Sequence, residues 1–205
     1  MTFETEDRAA LRQSVRDLLA KHSDSAAVRT AIAAPDGYDT ALWQRLVEQI
    51  GVAALSIPEE YDGVGASLAE THVVLEELGR TLTPSPMLGS AVLAAQALML
   101  SGDTDACSRL LPGIAAGEVA ALCWASESGW DTPDVASSGD SLTGTAHYVL
   151  GGDVASTLLV LAADGNGTAL FEVDPGAEGV TRRRVPTMDP TRSLAQVSFT
   201  SVTAR

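Results

Sequence analysis

The change of sequence pattern near Gly117 limits the fold more than any other feature of this 205-residue chain. Before Gly117, apolar residues recur at intervals of three and four, as Leu11, Val15 and Leu18 do, which is the spacing of amphipathic helices. After it, short apolar runs are separated by Gly, Ser, Asp and Pro, which favours strands. Segregated helices and strands indicate the α+β fold class, a helical region followed by an all-β region, rather than a doubly wound sheet.

Apolar spacing, together with start and stop signals, predicts the helices. The clearest start is the capping box of Ser67 and Glu70, in which the hydroxyl and the carboxylate each satisfy a backbone amide. From Met87 to Ser101 the apolar residues run all round, as in a helix buried among other helices. The predicted helices are residues 5–21, a segment between N-cap Asp39 and Gly51, a segment from Ser67 to Gly79, residues 87–101, and residues 105–111 before Pro112.

Beyond Gly117, strands are predicted. Residues 119–125 and 156–163 are compact apolar runs, and residues 195–200 alternate between apolar and polar side chains, as in a half-buried strand. Residues 164–167, Asp-Gly-Asn-Gly, are typical of a tight turn. We therefore expect a hairpin in which the strand before this turn pairs with residues 168–173.

The charge balance excludes one class of function. The chain has 27 acidic residues against 13 Lys and Arg, a formal net charge of −14. Binding to phosphate backbones depends on basic side chains that displace counterions. Nucleic acid is therefore not an expected partner.

The sequence predicts neither a membrane anchor nor export. The longest apolar stretch, residues 87–100, is shorter than the ~20 residues that a bilayer requires. The acidic N-terminal sequence does not resemble a signal peptide. Cys107 and Cys123 show no disulfide framework, which favours a reducing compartment. We therefore expect a cytoplasmic protein without a membrane partner.

Short motifs with established chemistry do not identify a function for this chain. The Gly-x-Gly at residues 63–65 lacks the third glycine and the preceding strand of a dinucleotide fingerprint. The histidines share no ligand spacing, so no metal site is predicted. Adjacent carboxylates at residues 59–60 and 76–77 point in different directions, and we interpret them as solvated or capping residues.

Two other groups leave alternatives open. The basic run at residues 182–184 is either an exposed strand face or a local anion contact. Trp124 and Trp130 lie where helix gives way to strand. They either wall a pocket for a planar cofactor or fill the seam between the helices and the sheet.

The sequence IPEEYDGVGASLAETHVVLEELGRTLTPSPML, residues 57–88, resembles the N-terminal helical domain of the acyl-CoA dehydrogenase family. Its Pro-Glu-Glu-Tyr-x-Gly-x-Gly loop, a helix ending Glu-Glu-Leu-Gly-Arg and a Pro-x-Pro occur in order. Residues 109–129 resemble the family's segment that leads into its flavin-binding strand. Residues 142–152 resemble the strand with the second flavin contact, and residues 197–202 a later strand.

This resemblance implies a domain order and an activity. In the family a helical domain, here residues 1–117, is followed by a β-barrel domain, here residues 118–205. A C-terminal four-helix domain then supplies the usual catalytic glutamate. Since the chain ends at Arg205, we expect that domain to be lacking and assign no catalytic residue. The implied reaction is FAD-dependent α,β-dehydrogenation of an acyl-CoA thioester.

The resemblance also implies contacts on the first flavin strand and the loop after it. Ser126 keeps a hydroxyl for the edge of the flavin ring, with Cys123 and Ala125 as neighbouring contacts. Thr132 takes the place of a serine that meets the CoA part of the substrate.

Contacts on the second strand depart from the family. Tyr148 replaces the usual tryptophan that packs on the isoalloxazine ring, and Val149 keeps an apolar contact. Leu150 replaces a residue with a hydroxyl group, and a leucine cannot hydrogen-bond the flavin.

With these departures, Met-Asp-Pro-Thr-Arg at residues 188–192 resembles the actinobacterial branch whose dehydrogenases assemble from two unlike subunits. In that branch one subunit often has a degraded flavin site, and the substrates include steroid side-chain intermediates. The implied partners are an acyl-CoA, another dehydrogenase subunit in a homo- or hetero-oligomer, and an electron-transferring flavoprotein. Two alternatives stay open, a non-catalytic partner subunit and a truncated fragment of a longer chain.

Overall fold

The computed structural model describes residues 5–165 and 167–205, in which helices precede strands as predicted. The α-helices are α1 (Glu6–His22), α2 (Ser25–Ala33), α3 (Thr40–Ile50), α4 (Leu68–Arg80), α5 (Ala95–Ser101) and α6 (Thr104–Ala115). A π-helix (Met87–Ala94) runs directly into α5, and a 3₁₀ turn covers Glu59–Tyr61. The strands are β1 (Ala120–Cys123), β2 (Val135–Ser138), β3 (Ser141–Leu150), β4 (Thr157–Ala163), β5 (Thr168–Val173), β6 (Val180–Val185) and β7 (Leu194–Thr203).

Local capping explains where several helices begin and end. The Asp39 carboxylate accepts a hydrogen bond from the Leu42 amide at 3.0 Å. Gly51, at φ +78°, ends α3 in the left-handed conformation that glycine adopts without strain. The capping box of Ser67 and Glu70 is present at the start of α4. These predicted boundaries are confirmed.

The sequence pattern does not predict α2. Its sequence, SAAVRTAIA, has few large apolar side chains from which a helical period could be read. Asp24 nevertheless caps it, since the carboxylate accepts hydrogen bonds from the amides of Ala26 and Ala27 at 3.0 and 2.8 Å.

Two predicted helices differ from the structure. The sequence predicts an end before Pro112, but α6 continues through it. An interior proline costs about 3 kcal/mol, and Ile114 beyond it is buried, which stabilises this end of the helix by roughly 1.5–3 kcal/mol. The segment 87–101 is helical, but its first half packs against β1 as well as against helices, and Leu100 is 84% exposed.

Ion pairs tie α1 to α4. The buried Glu77 carboxylate accepts hydrogen bonds from the guanidinium groups of Arg16 and Arg12, at 2.8 and 3.1 Å, and both hold the pKa of Glu77 below its usual value. Arg8 pairs with Glu70 at 2.7 Å. The interpretation of Glu77 as a solvated or capping residue is wrong, because its partners lie 61 and 65 positions away in the sequence.

The strands form one mixed sheet that curls around its own core. β4 pairs in parallel with β1 and β2 along one edge and antiparallel with β5 along the other. β2, β3, β7 and β6 then follow as antiparallel neighbours. Beyond β7, Arg205 and Glu172 of β5 exchange two backbone hydrogen bonds, at 2.8 and 3.0 Å, so the sheet returns on itself as a barrel.

The predicted hairpin between β4 and β5 is confirmed. The two strands pair from Leu158 opposite Val173 to Ala163 opposite Thr168. Of the predicted turn, Asn166 lies outside the described residues.

The helices and the sheet share a core. The Ser90 hydroxyl on the π-helix donates to the Glu118 carbonyl and accepts from the Ala120 amide, both at 3.0 Å. The Trp43 indole donates to the Gly117 carbonyl at 2.8 Å. Buried residues that meet at this seam are Ala54, Ile57, Leu98, Leu111 and Ile114 from the helical part, and Ala120 and Leu159 from the strands. The division into domains 1–117 and 118–205 stays a prediction.

Arg184 of β6 joins the barrel to the loop before α3. The Arg184 guanidinium donates to Asp153 at 2.5 Å and to the Pro35 carbonyl at 2.7 Å. Arg182 donates to the Ala155 carbonyl at 2.9 Å, whereas Arg183 is exposed and contacts Gln196. The exposed-face interpretation of this basic run therefore holds for Arg183 alone of the three.

We expect Glu77→Gln to lower the free energy of unfolding by about 1.5–3 kcal/mol, because it removes a buried charged acceptor from two guanidinium groups. Glu76→Gln is the matched control. The Glu76 side chain also contacts Arg12, at 2.6 Å, but is 62% exposed, and its loss should cost less than about 1 kcal/mol. Urea unfolding followed by circular dichroism measures both. Equal losses in the two variants would contradict this account of the α1–α4 contact.

Glu70 should make stability depend on pH. Hydrogen bonds from the Ser67 hydroxyl and from Arg8 lower the pKa of Glu70 from its usual 4.5 to about 2. A carboxylate whose pKa falls on folding adds stability above its unfolded pKa, and that contribution is lost as the pH falls. The stability difference between the wild type and Glu70→Gln should therefore be constant above about pH 5 and shrink between about pH 4.5 and pH 2. Urea titrations across this range test it, and a difference that persists at pH 2 counts against it.

Candidate functional site

The Pro-Glu-Glu-Tyr-x-Gly-x-Gly loop folds by packing onto its own backbone. Amides of Val64 and Gly65 donate to the carbonyls of Ala54 and Ile57 at 2.9 and 2.8 Å. A Cβ atom added at Gly63 would lie 1.9 Å from the Ile57 carbonyl oxygen, so only glycine fits there. The glycines of this loop thus serve chain closure rather than phosphate binding.

The structure brings Ser126 and Tyr148 to one edge of the barrel. A backbone bridge between Ala125 and His147, 2.9 Å from amide to carbonyl, joins the two segments. The Tyr148 hydroxyl donates to the Glu127 carbonyl at 3.2 Å. The predicted contacts from two distant parts of the sequence are therefore neighbours.

Tyr148 projects outward at a β-bulge. The register of β3 against β7 shifts between Ala146 and Val149, and Tyr148 has φ +54°. A bulge changes the direction of a side chain, and a non-glycine residue in the left-handed region is typical of functional sites. The Tyr148 side chain is 43% exposed and presents its ring at the surface.

The Ser126 hydroxyl is buried and bonded within its own loop. It donates to the Gly129 carbonyl at 3.0 Å and accepts from the Gly129 amide at 3.1 Å. The hydroxyl of Ser128 lies 3.1 Å away. In this conformation the Ser126 hydroxyl shapes the loop instead of pointing to a ligand.

Three other predicted contacts, Cys123, Ala125 and Val149, are fully buried in or beside the barrel core. Burial raises the pKa of the Cys123 thiol to about 12, so the thiol stays protonated and unreactive at neutral pH. In this conformation neither their side chains nor their backbone atoms are open to a ligand.

Thr132 and Trp130 lie in the segment between β1 and β2, and both are exposed. The Trp130 ring is 5.6 Å from that of Trp124, with 45° between the ring planes. Because Trp130 is 64% exposed, the alternative in which both indoles fill the helix–sheet seam is wrong.

A cleft of about 210 Å³ lies between the helices and the barrel. Leu150 lines it, opposite the π-helix, where a Cβ atom added at Gly89 would be 3.1 Å from the Leu150 Cβ. Its apolar walls include Leu75, Leu78, Pro84, Leu88, Leu150 and Val154, and its polar residues include Asp36, Tyr38, Thr83 and Arg192. Burial, then the nearby Asp36 charge, raises the pKa of Tyr38, which keeps its hydroxyl protonated.

Sequence reasoning places Leu150 in the site but misses most of the cleft. Its walls come from residues 36–38, α4, the segment 83–90, residues 119–120, residues 150–154 and residues 191–193, which meet only in the folded chain. The one available signal is the Pro-x-Pro after α4, since Pro84 and Pro86 both line the cleft.

Within residues 5–165 and 167–205, no helix has the length and apolar character needed to cross a membrane. The same residues hold no group of three or more His, Cys, Asp or Glu side chains placed to bind a metal ion.

Comparison with known proteins agrees with this architecture. The family model described as acyl-CoA dehydrogenase, N-terminal domain, matches residues 5–118, more than half of the chain. The chain belongs to the acyl-CoA dehydrogenase family. Acyl-CoA dehydrogenase IpdE2 of Mycobacterium tuberculosis is 40% identical to it over 196 residues, which cover 94% of this chain and 51% of the relative. The chain thus spans about half the length of the curated relatives it matches.

Solved structures share the fold. The ChsE4–ChsE5 complex from Mycobacterium tuberculosis has a TM-score of 0.88 at 26% identity, covering 99% of this chain and 56% of that one. A steroid ACAD, the Tcur3481–Tcur3483 G363A variant, has a TM-score of 0.87 at 28% identity, covering 98% and 56%. The resemblance and the fold class expected from the sequence are confirmed.

The described residues fit a flavin ring in part. The exposed Tyr148 ring offers a stacking surface beside the Ser126 loop. Side-chain hydrogen-bond donors are scarce at the predicted contacts, because the Ser126 hydroxyl is already bonded and the Leu150 side chain has no donor.

Proposed function

We propose that this chain is part of an FAD-dependent acyl-CoA dehydrogenase that removes hydrogen from Cα and Cβ of an acyl-CoA thioester. The observation that carries the proposal is the cleft of about 210 Å³, bordered by Leu150 at the end of the strand that the family resemblance assigns to the flavin. The cleft has apolar walls and lies between the helices and the barrel. Such a cleft can bury an acyl group and exclude water from it.

The walls of the cleft favour a bulky apolar acyl group. Leu75, Leu78 and Val154 offer branched side chains from both the helical part and the barrel. Together with the likeness to a steroid ACAD, this supports lipid or steroid side-chain catabolism. The cleft is smaller than the ~300–1,000 Å³ usual for drug-sized ligands, so it would hold only part of such a group.

Tyr148 and the Ser126 loop would hold the flavin ring, and the buried Val149, Cys123 and Ala125 would support these two segments from the barrel core. Bound FAD would supply a hydride acceptor beside the cleft. Leu150 would contribute an apolar contact where a hydroxyl is usual. The exposed Thr132 hydroxyl suits the polar CoA part of the substrate. No described residue is assigned as the catalytic base.

The partner we propose is a second acyl-CoA dehydrogenase subunit. The ChsE4–ChsE5 structure is a complex, and this chain resembles one chain of it over 99% of its own length. An electron-transferring flavoprotein would then accept the electrons. A non-catalytic role within such a complex is the second candidate, and Leu150 favours it, because a leucine leaves the flavin with one hydrogen bond fewer.

Position 150 tests whether this chain contacts the flavin. We expect Leu150→Thr to bind FAD about 2- to 10-fold more tightly than Leu150→Val, since the two side chains have similar shape and only threonine has a hydroxyl. Quenching of FAD fluorescence on titration with each variant gives the two affinities. Equal affinities would place the flavin away from Leu150 and support the non-catalytic role.

A second substitution tests the cleft. Leu88→Trp should weaken binding of cyclohexanecarbonyl-CoA about tenfold or more, because the indole fills space that the acyl group needs. Leu100→Trp, at an 84% exposed position of α5, is the matched control and should have no effect. Isothermal titration calorimetry measures both, with CoA alone as the reference ligand. A wild type that binds the thioester no better than CoA would overturn the proposed function.

A further inference from the structure

A second groove continues the cleft on the side away from the flavin contacts. Its volume is about 390 Å³, and it shares Gly37, Arg192 and Ser193 with the cleft. None of the residues expected to contact the flavin or CoA lines it. Its apolar walls are formed by Ile32, Val185, Pro186 and Pro190. A ligand too large for the cleft therefore has room to extend past Arg192.

The two arginines of this groove differ in what their guanidinium groups contact. Arg184 is occupied, since it donates to Asp153 at 2.5 Å and to the Pro35 carbonyl at 2.7 Å. Arg192 donates through Nη1 to the carbonyl and hydroxyl of Thr191, at 3.1 and 3.4 Å. Among the described residues no carboxylate forms an ion pair with Arg192 within 4.0 Å.

The acid nearest to Arg192 in the sequence is already engaged. The Asp189 carboxylate accepts hydrogen bonds from the Thr191 hydroxyl at 2.6 Å and from the Thr191 amide at 2.9 Å, and these bonds lower the pKa of Asp189. Arg192 adds only a minor further lowering. A guanidinium group has five N–H donors, so Arg192 keeps donors on Nε and Nη2 for a ligand.

We propose that Arg192 is a specificity-determining residue that donates hydrogen bonds to an oxygen substituent, a carboxylate or a ketone, on the far end of an alicyclic acyl group. This inference rests on the proposed function for the orientation of the ligand. Arg192 is half-buried between apolar walls, so a ligand that covers it without offering an acceptor leaves a charged donor unpaired. Sites of this kind reject the analogue that lacks the oxygen more strongly than they reject a small change in size.

Binding of free bicyclic probes tests the proposal without CoA or FAD. The probes are decahydro-2-naphthoate, which carries a carboxylate, and 2-decalone, which carries a ketone. Decalin, which has the same two rings, no charge and no acceptor, is the negative probe. Chemical-shift titrations of the full chain give the affinities for the wild type, Arg192→Met and Arg183→Met. Arg183 is the matched control, because it is exposed and lines neither the cleft nor the groove.

We expect Arg192→Met to weaken binding of the naphthoate about tenfold, while Arg183→Met leaves it unchanged. An equal loss for the decalone shows that a carbonyl oxygen suffices, and no loss for the decalone assigns the site to carboxylates. Arg192→Lys should recover part of the naphthoate binding, which a collapsed groove would not do. Equal binding by Arg192→Met and Arg183→Met, or no binding of either oxygenated probe by the wild type, overturns the proposal. Because neither CoA nor FAD is present, this outcome is independent of whether the complex dehydrogenates acyl-CoA.

Discussion

The Ser90 hydroxyl fixes the first strand of the sheet against the helices, and the cleft depends on that contact. Ser90 satisfies the Glu118 carbonyl and the Ala120 amide at once, at 3.0 Å each. Buried backbone groups need partners, and here a side chain of the π-helix supplies both. Since β1 is paired with β4, the whole barrel is held at a set distance from the π-helix. The space left between them is the cleft, which Ser90 and Ala120 themselves line.

Arginines join the parts of an otherwise acidic molecule. The chain has 13 Lys and Arg residues and 27 acidic residues, and several of the arginines lie where two elements meet. Arg16 ties α1 to α4, Arg109 pairs with Glu172 of β5 at 2.7 Å, and Arg184 ties the barrel to the loop before α3. Arg192 differs from these three arginines, because its hydrogen bonds go to the neighbouring Thr191 and not to another element.

Features set by neighbouring residues could be predicted from the sequence, and features set by distant ones could not. The caps at Asp39 and Ser67 are local hydrogen bonds, so their residue types reveal them. The passage of α6 through Pro112 and the burial of Glu77 depend on partners from other elements. The candidate site shows the same division. The family resemblance pointed to Leu150, while the walls of the cleft come from six separate segments, of which only the Pro-x-Pro gave a local signal.

The loop at residues 57–65 carries much of the sequence resemblance, yet it is built for packing. The absence of a side chain at Gly63 lets the chain pass the Ile57 carbonyl, and no residue of this loop lines the cleft as the structure describes it. The sequence of this loop therefore indicates the fold and does not indicate catalytic activity. A non-catalytic subunit, whose partner subunit performs the reaction, would keep the same loop sequence. Genome searches that use this loop find proteins with the fold. Catalytic members must then be distinguished from non-catalytic ones by positions such as 148 and 150.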